Sequence, residues 1–489
     1  MIDWPTPVHG NNEPMKIIIL TIFLGAAAYG QSTTAEPASP AETYRTYCAG
    51  CHGAQMEGGQ YSPLRKSDWM YGGDREAIHR TVMYGVSGTD MAAWSRVLPE
   101  EKIETLVDYI IESRDTLPEA PEAKPDSIKT TDYLIHIETL ITEGFKSTPW
   151  GIEFVDKQRA LITERRGGFR WMVDGKLDPE PITPMPETIQ YGTGGFLDLA
   201  LDPDYENNGW VYIGYVHPLG KGPTRERPAM TRIIRGRVED HRWVDQELLF
   251  RVADELYITD AGRWGCRLLF DKDGYLYFTI GDIRQNDDVQ PLNKPSGKVY
   301  RILPDGSIPP DNPYVGHPGA IEAIYTTGNR NIQGIVQHPV TGAIWATEHG
   351  PMGGDELNIL QLGSNYGWPV ITFGLDYDGT PMKSVHTTVP LLTHKEGMKQ
   401  PIKYWKPSPG ISALEFYTGD MFPKWKNQAF AGALAFQEIK RLKLAGDKVE
   451  EEEVFLKGYG RVRDLKTGPE GAIYVLLNEP DQVLRLTTR

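Results

Sequence analysis

Along most of the chain, apolar residues occur in short runs rather than long stripes. Runs rich in β-branched and aromatic residues at 210–215, 267–270, 275–280, 342–347 and 472–477 are separated by glycine or Asp-Gly turns such as Asp273-Gly274. This pattern predicts strands joined by tight hairpins. Residues 100–111 differ: Ile103, Leu106, Val107, Ile110 and Ile111 recur at helical spacing, so an amphipathic helix is expected there. Residues 17–28, after Lys16, form a predominantly apolar run too short to span a bilayer comfortably, and Ala28-Tyr29-Gly30 supplies a small-x-small cleavage signal. Residues 1–30 are therefore read as a signal peptide with an upstream extension, and the mature chain is expected to begin near Gln31 in the periplasm or otherwise secreted. A buried N-terminal helix is the competing reading. Pro5, Pro7 and Pro14 are unlike a signal n-region, so Met15 is the expected true start. No stable membrane insertion of the mature chain is expected.

Length and composition refine this picture. A chain of 489 residues can hold two or more domains with sizeable cores. Its 51 glycines and 37 prolines favour many short elements and turns. A formal charge of -15 argues against nucleic acid or an anionic membrane as the main partner, and is compatible with docking to an external, basic redox protein. Cys48, Cys51 and Cys266 are the only cysteines, which excludes a disulfide framework.

Two of those cysteines lie in Cys48-Ala49-Gly50-Cys51-His52. Thiols at this spacing add to the two vinyl groups of haem, and the adjacent histidine then reaches the iron. A thioredoxin-like dithiol or a zinc half-site is the alternative, but zinc needs further ligands and the next cysteine is Cys266. Met91, in a glycine-rich segment followed by Trp94, is the expected sixth ligand, ahead of Met83, Met70 and His79. Histidine–methionine ligation raises the reduction potential and suits electron transfer. The pattern over residues 36–115 resembles small class I cytochromes c, in which helices pack around a covalent haem c.

Residues 117–126 carry three prolines and three acidic residues, which places a semi-rigid linker at 116–130. Beyond it, residues 131–489 are large for a sandwich, and a radial propeller of six four-stranded blades accounts better for their length. The expected fold is thus a small all-α cytochrome c domain followed by an all-β six-bladed β-propeller.

Particular stretches strengthen this reading. Trp150-Gly151-Ile152-Glu153-Phe154, Gly194-Gly195-Phe196-Leu197-Asp198-Leu199-Ala200 and Gly328-Asn329-Arg330-Asn331-Ile332-Gln333-Gly334 resemble the soluble glucose and aldose sugar dehydrogenases that use pyrroloquinoline quinone (PQQ). So do Glu348-His349-Gly350-Pro351-Met352-Gly353-Gly354-Asp355-Glu356, Asn365-Tyr366-Gly367-Trp368-Pro369 and Arg461-Val462-Arg463-Asp464, in family order. The resemblance implies a six-bladed propeller holding quinone and Ca2+ at the top of its channel and oxidising the anomeric hydroxyl of an aldose. It places Arg330, Asn331, Gln333, Arg461 and Arg463 at the cofactor. Arg461 and Arg463, two apart on a strand, share a face. Gly350 and Pro351 match the carbonyls that bind calcium, with Asp355 beside them. Trp405 matches an aromatic near the ring, and a propeller core residue is the equal alternative.

Two positions depart from the family. Arg263-Trp264-Gly265-Cys266-Arg267 stands where the family has His-x-Gly-Gly-Arg, so Arg263 replaces the general base and Cys266 a glycine. A guanidinium is a poor proton acceptor. Arg263 is instead expected to clamp an anionic substrate, stabilise an alkoxide or contact a cofactor carboxylate, and Asp282 to take the proton or to serve as a plain turn residue. Ala435 stands where the family often has a cofactor-binding lysine. Cys266 reads as a small buried hydrophobe. The leading reading is a periplasmic quinoprotein dehydrogenase that oxidises a sugar or related, possibly acidic, alcohol and feeds its own haem. The alternatives are a PQQ-free propeller enzyme acting on a carbohydrate, and a propeller that binds a glycan or protein and carries a haem.

Overall fold

The computed structural model describes residues 39–489, apart from 57–63, 66–68, 70–71, 86–90, 92, 117–123, 260, 377–379, 385–388 and 489. The expected signal peptide, Met70 and part of the expected linker lie outside the described residues.

Four helices form the N-terminal part among the described residues: α1 (Pro40–Tyr47), α2 (Ala49–His52), α3 (Arg75–Tyr84) and α4 (Glu100–Thr116). Local chemistry sets their starts. The Ser39 hydroxyl accepts from Glu42 N with Pro40 in the first turn of α1, and Asp74 accepts from Ala77 N at 2.9 Å to cap α3. The predicted apolar stripe of α4 is real. Ile103, Leu106, Val107 and Ile110 are buried against Tyr44, Cys48, Met56, Ile78 and Val82, each aliphatic contributing about 1.5–3 kcal/mol. The helix runs past Ile111 to Thr116, and Ser113 is buried as well.

Six antiparallel sheets make up the rest of the described residues, which is the expected six-bladed propeller. Blades 1 to 6 begin with the inner strands Pro149–Phe154, Phe196–Leu201, Gly265–Phe270, Ile332–Gln337, Ile411–Phe416 and Arg461–Thr467. Each inner strand packs against the next and the last against the first, closing a ring around the channel. Blade 6 is completed from the other end of the chain: Leu134–Ile141 pairs with Gln482–Thr487, Ile137 opposite Leu486, and Ser127–Lys129 pairs outside it. This closure leaves no gap between first and last blades. The first strand of the propeller therefore starts at Ser127, inside the stretch expected as linker, and Pro125 O already accepts from the Tyr459 hydroxyl.

All six inner strands carry a register shift near their first residues, as between Gly265 and Leu268 or Val462 and Asp464. Such bulges re-aim side chains, here at one end of the channel. The segment between Asp355–Leu360 and Lys403–Trp405 crosses to that same end, with Tyr366 N bonded to Thr327 O and Trp368 N to Gly328 O. Among the described residues, no helix is long and apolar enough to cross a membrane.

Candidate active site

The bulged ends of the inner strands bring charged side chains from distant parts of the chain onto one axis. Arg267 of blade 3 is the centrepiece. Its guanidinium lies 3.3 Å from Asp198 of blade 2 and 3.1 Å from Asp464 of blade 6, and donates to the carbonyls of Gln333 and Arg463, each at 2.7 Å. The carboxylates also accept backbone N–H groups, Leu268 N on Asp198 and Ile152 N on Asp464. Burial pushes the Asp198 carboxyl up to about 7 against the pull of Arg267. Further along, Lys466 meets Glu153 at 2.5 Å, and burial raises Glu153 and the neighbouring Glu415. Four blades are thus tied through one arginine.

Above this plug the balance of charge changes. Arg463, buried, donates to the neutral oxygens of Asn478 (2.8 Å) and Gln333 (3.2 Å) and lies 3.9 Å over the Trp150 ring. Arg330 donates to the carbonyls of His349 (2.9 Å) and Gly350 (2.6 Å) and lies over Trp368. Arg165 donates to the carbonyls of Gly192 and Gly194. None of these three guanidiniums has a carboxylate within ion-pair distance among the described residues, whereas Arg461 has Glu479 at 3.7 Å. Burial and the guanidiniums of Arg461, Arg267 and Arg165 press Arg463 below its ordinary range. Burial and Arg463, Arg330 and Arg461 hold the His349 ring down to about 3, so it is neutral. Three buried donors here have no partner among the described residues: Arg330 Nε, His349 Nε2 and Trp150 Nε1. A cationic cluster with orphaned donors fits an anionic ligand rich in acceptors.

The expected catalytic pair is adjacent. Arg263 Nε lies 2.9 Å from Asp282 Oδ1, an ion pair without a linear hydrogen bond. Asp282 is fully buried, and its carboxylate also accepts from Arg284 N (3.1 Å) and Trp368 Nε1 (3.0 Å). Arg263 and Cys266 adopt left-handed backbone, φ 54° and 65°. That conformation accounts for a glycine in the family at the second position. Gly214 makes the room, since a Cβ there would sit 2.1 Å from Cys266 Sγ. The thiol is buried and burial raises it, so it is an inert hydrophobe.

Asp355 ties two blades: its carboxylate accepts from Gly350 N (2.9 Å) and Ile411 N (2.7 Å), and burial pushes it up to about 6. The two expected calcium ligands already have donors, Arg330 on Gly350 O and Ser408 on Pro351 O at 3.1 Å. Trp405 is buried in the core between blades 4 and 5, its indole donating to Glu452 at 3.0 Å. Ala435, in the expected lysine position, bonds through its backbone to Pro409 O. A groove of about 510 Å³ opens between blades 1 and 2, lined by Arg166, Gln190 and Arg227 among others.

In the helical part, Cys48 is buried and His52 follows one turn later, with His52 N bonded to Cys48 O. Met91 packs against the same core; the Cys51 side chain lies outside the described residues. Of the competing ligands, Met83 is a core residue and His79 lies 3.1 Å from Glu104.

The family profile described as Glucose / Sorbosone dehydrogenase matches residues 146–486. The propeller chain belongs to this family. A second profile, Cytochrome C oxidase, cbb3-type, subunit III, matches residues 35–110. The aldose sugar dehydrogenase YliI of Escherichia coli is 36% identical over 346 residues, covering 70% of this chain and 90% of its own. A crystal structure of glucose dehydrogenase is similar at 38% identity and a TM-score of 0.65, covering 71% and 98% of the two chains. The PQQ-bound form of an aldose sugar dehydrogenase from Streptomyces coelicolor has the same fold at 22% identity and a TM-score of 0.56, covering 73% and 98%. The chain is therefore an oxidoreductase of the sugar dehydrogenase type, with a cytochrome c domain at its N-terminus.

Arg165, His349, Trp150 and Trp368 were not predicted as site residues. The last three lie inside the stretches that carry the resemblance, where they read as fold residues. For Arg165 the signal was the Arg165-Arg166 pair ending a strand-like run with no acidic partner after it.

Proposed function

We propose that this chain is a quinoprotein dehydrogenase that oxidises a sugar or related alcohol with PQQ and passes the electrons to its own haem c. The observation that carries this reading is the cluster above Arg267. Two of the proposed arginines, Arg330 and Arg463, have no carboxylate in ion-pair range among the described residues; with three buried donors that lack partners there, they suit a planar tricarboxylate, and a PQQ-bound relative shares the fold. PQQ, when bound, supplies the two-electron acceptor for the alcohol. Arg330, Arg461 and Arg463 would bind its carboxylates, with the Trp150 and Trp368 rings backing the guanidiniums and excluding water. Calcium does not fit the carbonyls as they stand. Gly350 O is engaged by the Arg330 guanidinium, a cation that would face the ion, and Pro351 O by the Ser408 hydroxyl. No step is assigned to it.

Asp282 was expected to take the proton, but its carboxylate faces Arg263, Arg284 N and Trp368 inside the protein. We therefore read it as positioning Arg263, whose guanidinium remains partly exposed and stabilises negative charge on the reacting oxygen. Cys48, Cys51 and His52 would hold the haem with Met91 as sixth ligand, and a tethered haem has a high effective concentration at the enzyme. Secretion to the periplasm follows from the expected signal peptide and the haem motif. The test is reconstitution of the haem-loaded protein with PQQ, followed by an aldose. Reduction of the haem absorption band that requires both additions supports the reading. Substrate conversion without haem reduction favours a PQQ-free enzyme, and binding without turnover a glycan- or protein-binding propeller.

A further inference from the structure

Four side chains on the channel wall determine one another's proton positions. Arg463 only donates, and it lies 3.2 Å from Gln333 Oε1. The Gln333 amide must therefore turn its nitrogen away, and Nε2 donates to Asn331 Oδ1 at 3.3 Å. That leaves Asn331 Nδ2 facing His349 Nδ1 at 3.3 Å. An amide nitrogen cannot accept, so the imidazole accepts at Nδ1, and the neutral ring carries its proton on Nε2. Nε2 is out of solvent and has no hydrogen-bond partner among the described residues; the Ile411 carbonyl faces the ring without receiving an aligned bond. The chain of donors thus ends on an N–H that no aligned acceptor among the described residues takes up.

We propose that His349 is a ligand-binding residue whose Nε2–H donates to an oxygen of the bound PQQ, in a tautomer dictated by Arg463 through Gln333 and Asn331. The two amides thereby orient His349, through the bonds they make with each other, with Arg463 and with the ring. This inference rests on the proposed function for the identity of the ligand, but the tautomer belongs to the chain itself.

The experiment uses the full haem-loaded chain with 15N-labelled histidine and no added quinone. Loss of one ring signal in His349→Leu assigns the residue, and long-range 15N–1H correlation reads which nitrogen is protonated. The expected result is Nε2–H in the wild type and Nδ1–H in Asn331→Asp, whose carboxylate offers only acceptors. PQQ titration should then show binding weakened about tenfold or more in both His349→Leu and Asn331→Asp, the range for a lost bond to a charged acceptor, with His349→Gln, which keeps a donor, closer to wild type. A wild-type Nδ1–H ring overturns the proposal. So does unchanged quinone affinity in His349→Leu, which would mean that Nε2 is satisfied by the Ile411 carbonyl. Wild-type protein that binds no PQQ sinks the proposed function, and with it the acceptor named here, whatever the tautomer.

Discussion

Replacing Arg267 by methionine is the perturbation that most directly tests how the propeller is held shut. The guanidinium is the counter-charge for both Asp198 and Asp464 and the donor to two carbonyls, across blades 2, 3, 4 and 6. Methionine keeps the bulk and removes all of this. Breaking a buried ion pair from one side costs about 3–5 kcal/mol, and each carbonyl deprived of its donor adds about 1 kcal/mol. The expected loss near neutral pH is therefore about 5–7 kcal/mol. Its pH dependence has a definite sign. Without Arg267 the Asp198 carboxyl, already raised by burial to about 7 with the arginine in place, lies further above its unfolded pKa, so the folded variant binds a proton that the unfolded chain does not. Stability of the variant then rises as pH falls, by about 1.4 kcal/mol per unit for each such proton. Moving from pH 7 to pH 5 should raise the variant's own stability by about 3 kcal/mol, two units for the one proton on Asp198. Urea unfolding at both pH values, followed by the tryptophan fluorescence of the propeller, measures this. A variant within about 1 kcal/mol of wild type, or one that loses stability between pH 7 and pH 5, would refute the reasoning.

Three further outcomes are expected. Trp368→Phe removes the indole donor to Asp282 while keeping an aromatic under Arg330, and should lower kcat more than it raises KM, by about tenfold; equal turnover would deny Asp282 and Trp368 a positioning role. Asp355 has a carboxyl raised by burial to about 6, so its ionisation opposes folding as pH rises from about 4 to 6, and Asp355→Asn should flatten that part of the stability profile, a change of up to about 3 kcal/mol in unfolding experiments. Met91→Ala should lower the haem reduction potential in a redox titration, since a thioether ligand raises it; an unchanged potential would remove Met91 as the ligand.

The cytochrome part was legible because its chemistry is local. Cysteines three apart and a following histidine share one turn, and the stripe from Ile103 to Ile110 sits on one helix. The strands of the propeller were legible for the same reason, since alternation and Asp-Gly turns act over a few residues. Blade order was not visible as a repeat, and the closing strands Leu134–Ile141 and Ser127–Lys129 pair with or beside the C-terminus, which no local pattern announces.

The site divides in the same way. Residue type and resemblance named Arg330, Asn331, Gln333, Arg461, Arg463, Arg263 and Asp282 as candidates. Only the fold decided which of them face each other: Arg267 reaches Asp198 and Asp464 across 69 and 197 residues of sequence, and Arg463 reaches Gln333 across 130. Asp282 looked available as a base until the structure put Trp368, from 86 residues away, on its second oxygen. The sequence by itself determined which charges exist and which elements carry them. Their pairing was left to the closure of the ring, because a hydrogen bond depends on position in space and each blade contributes only one wall of the channel.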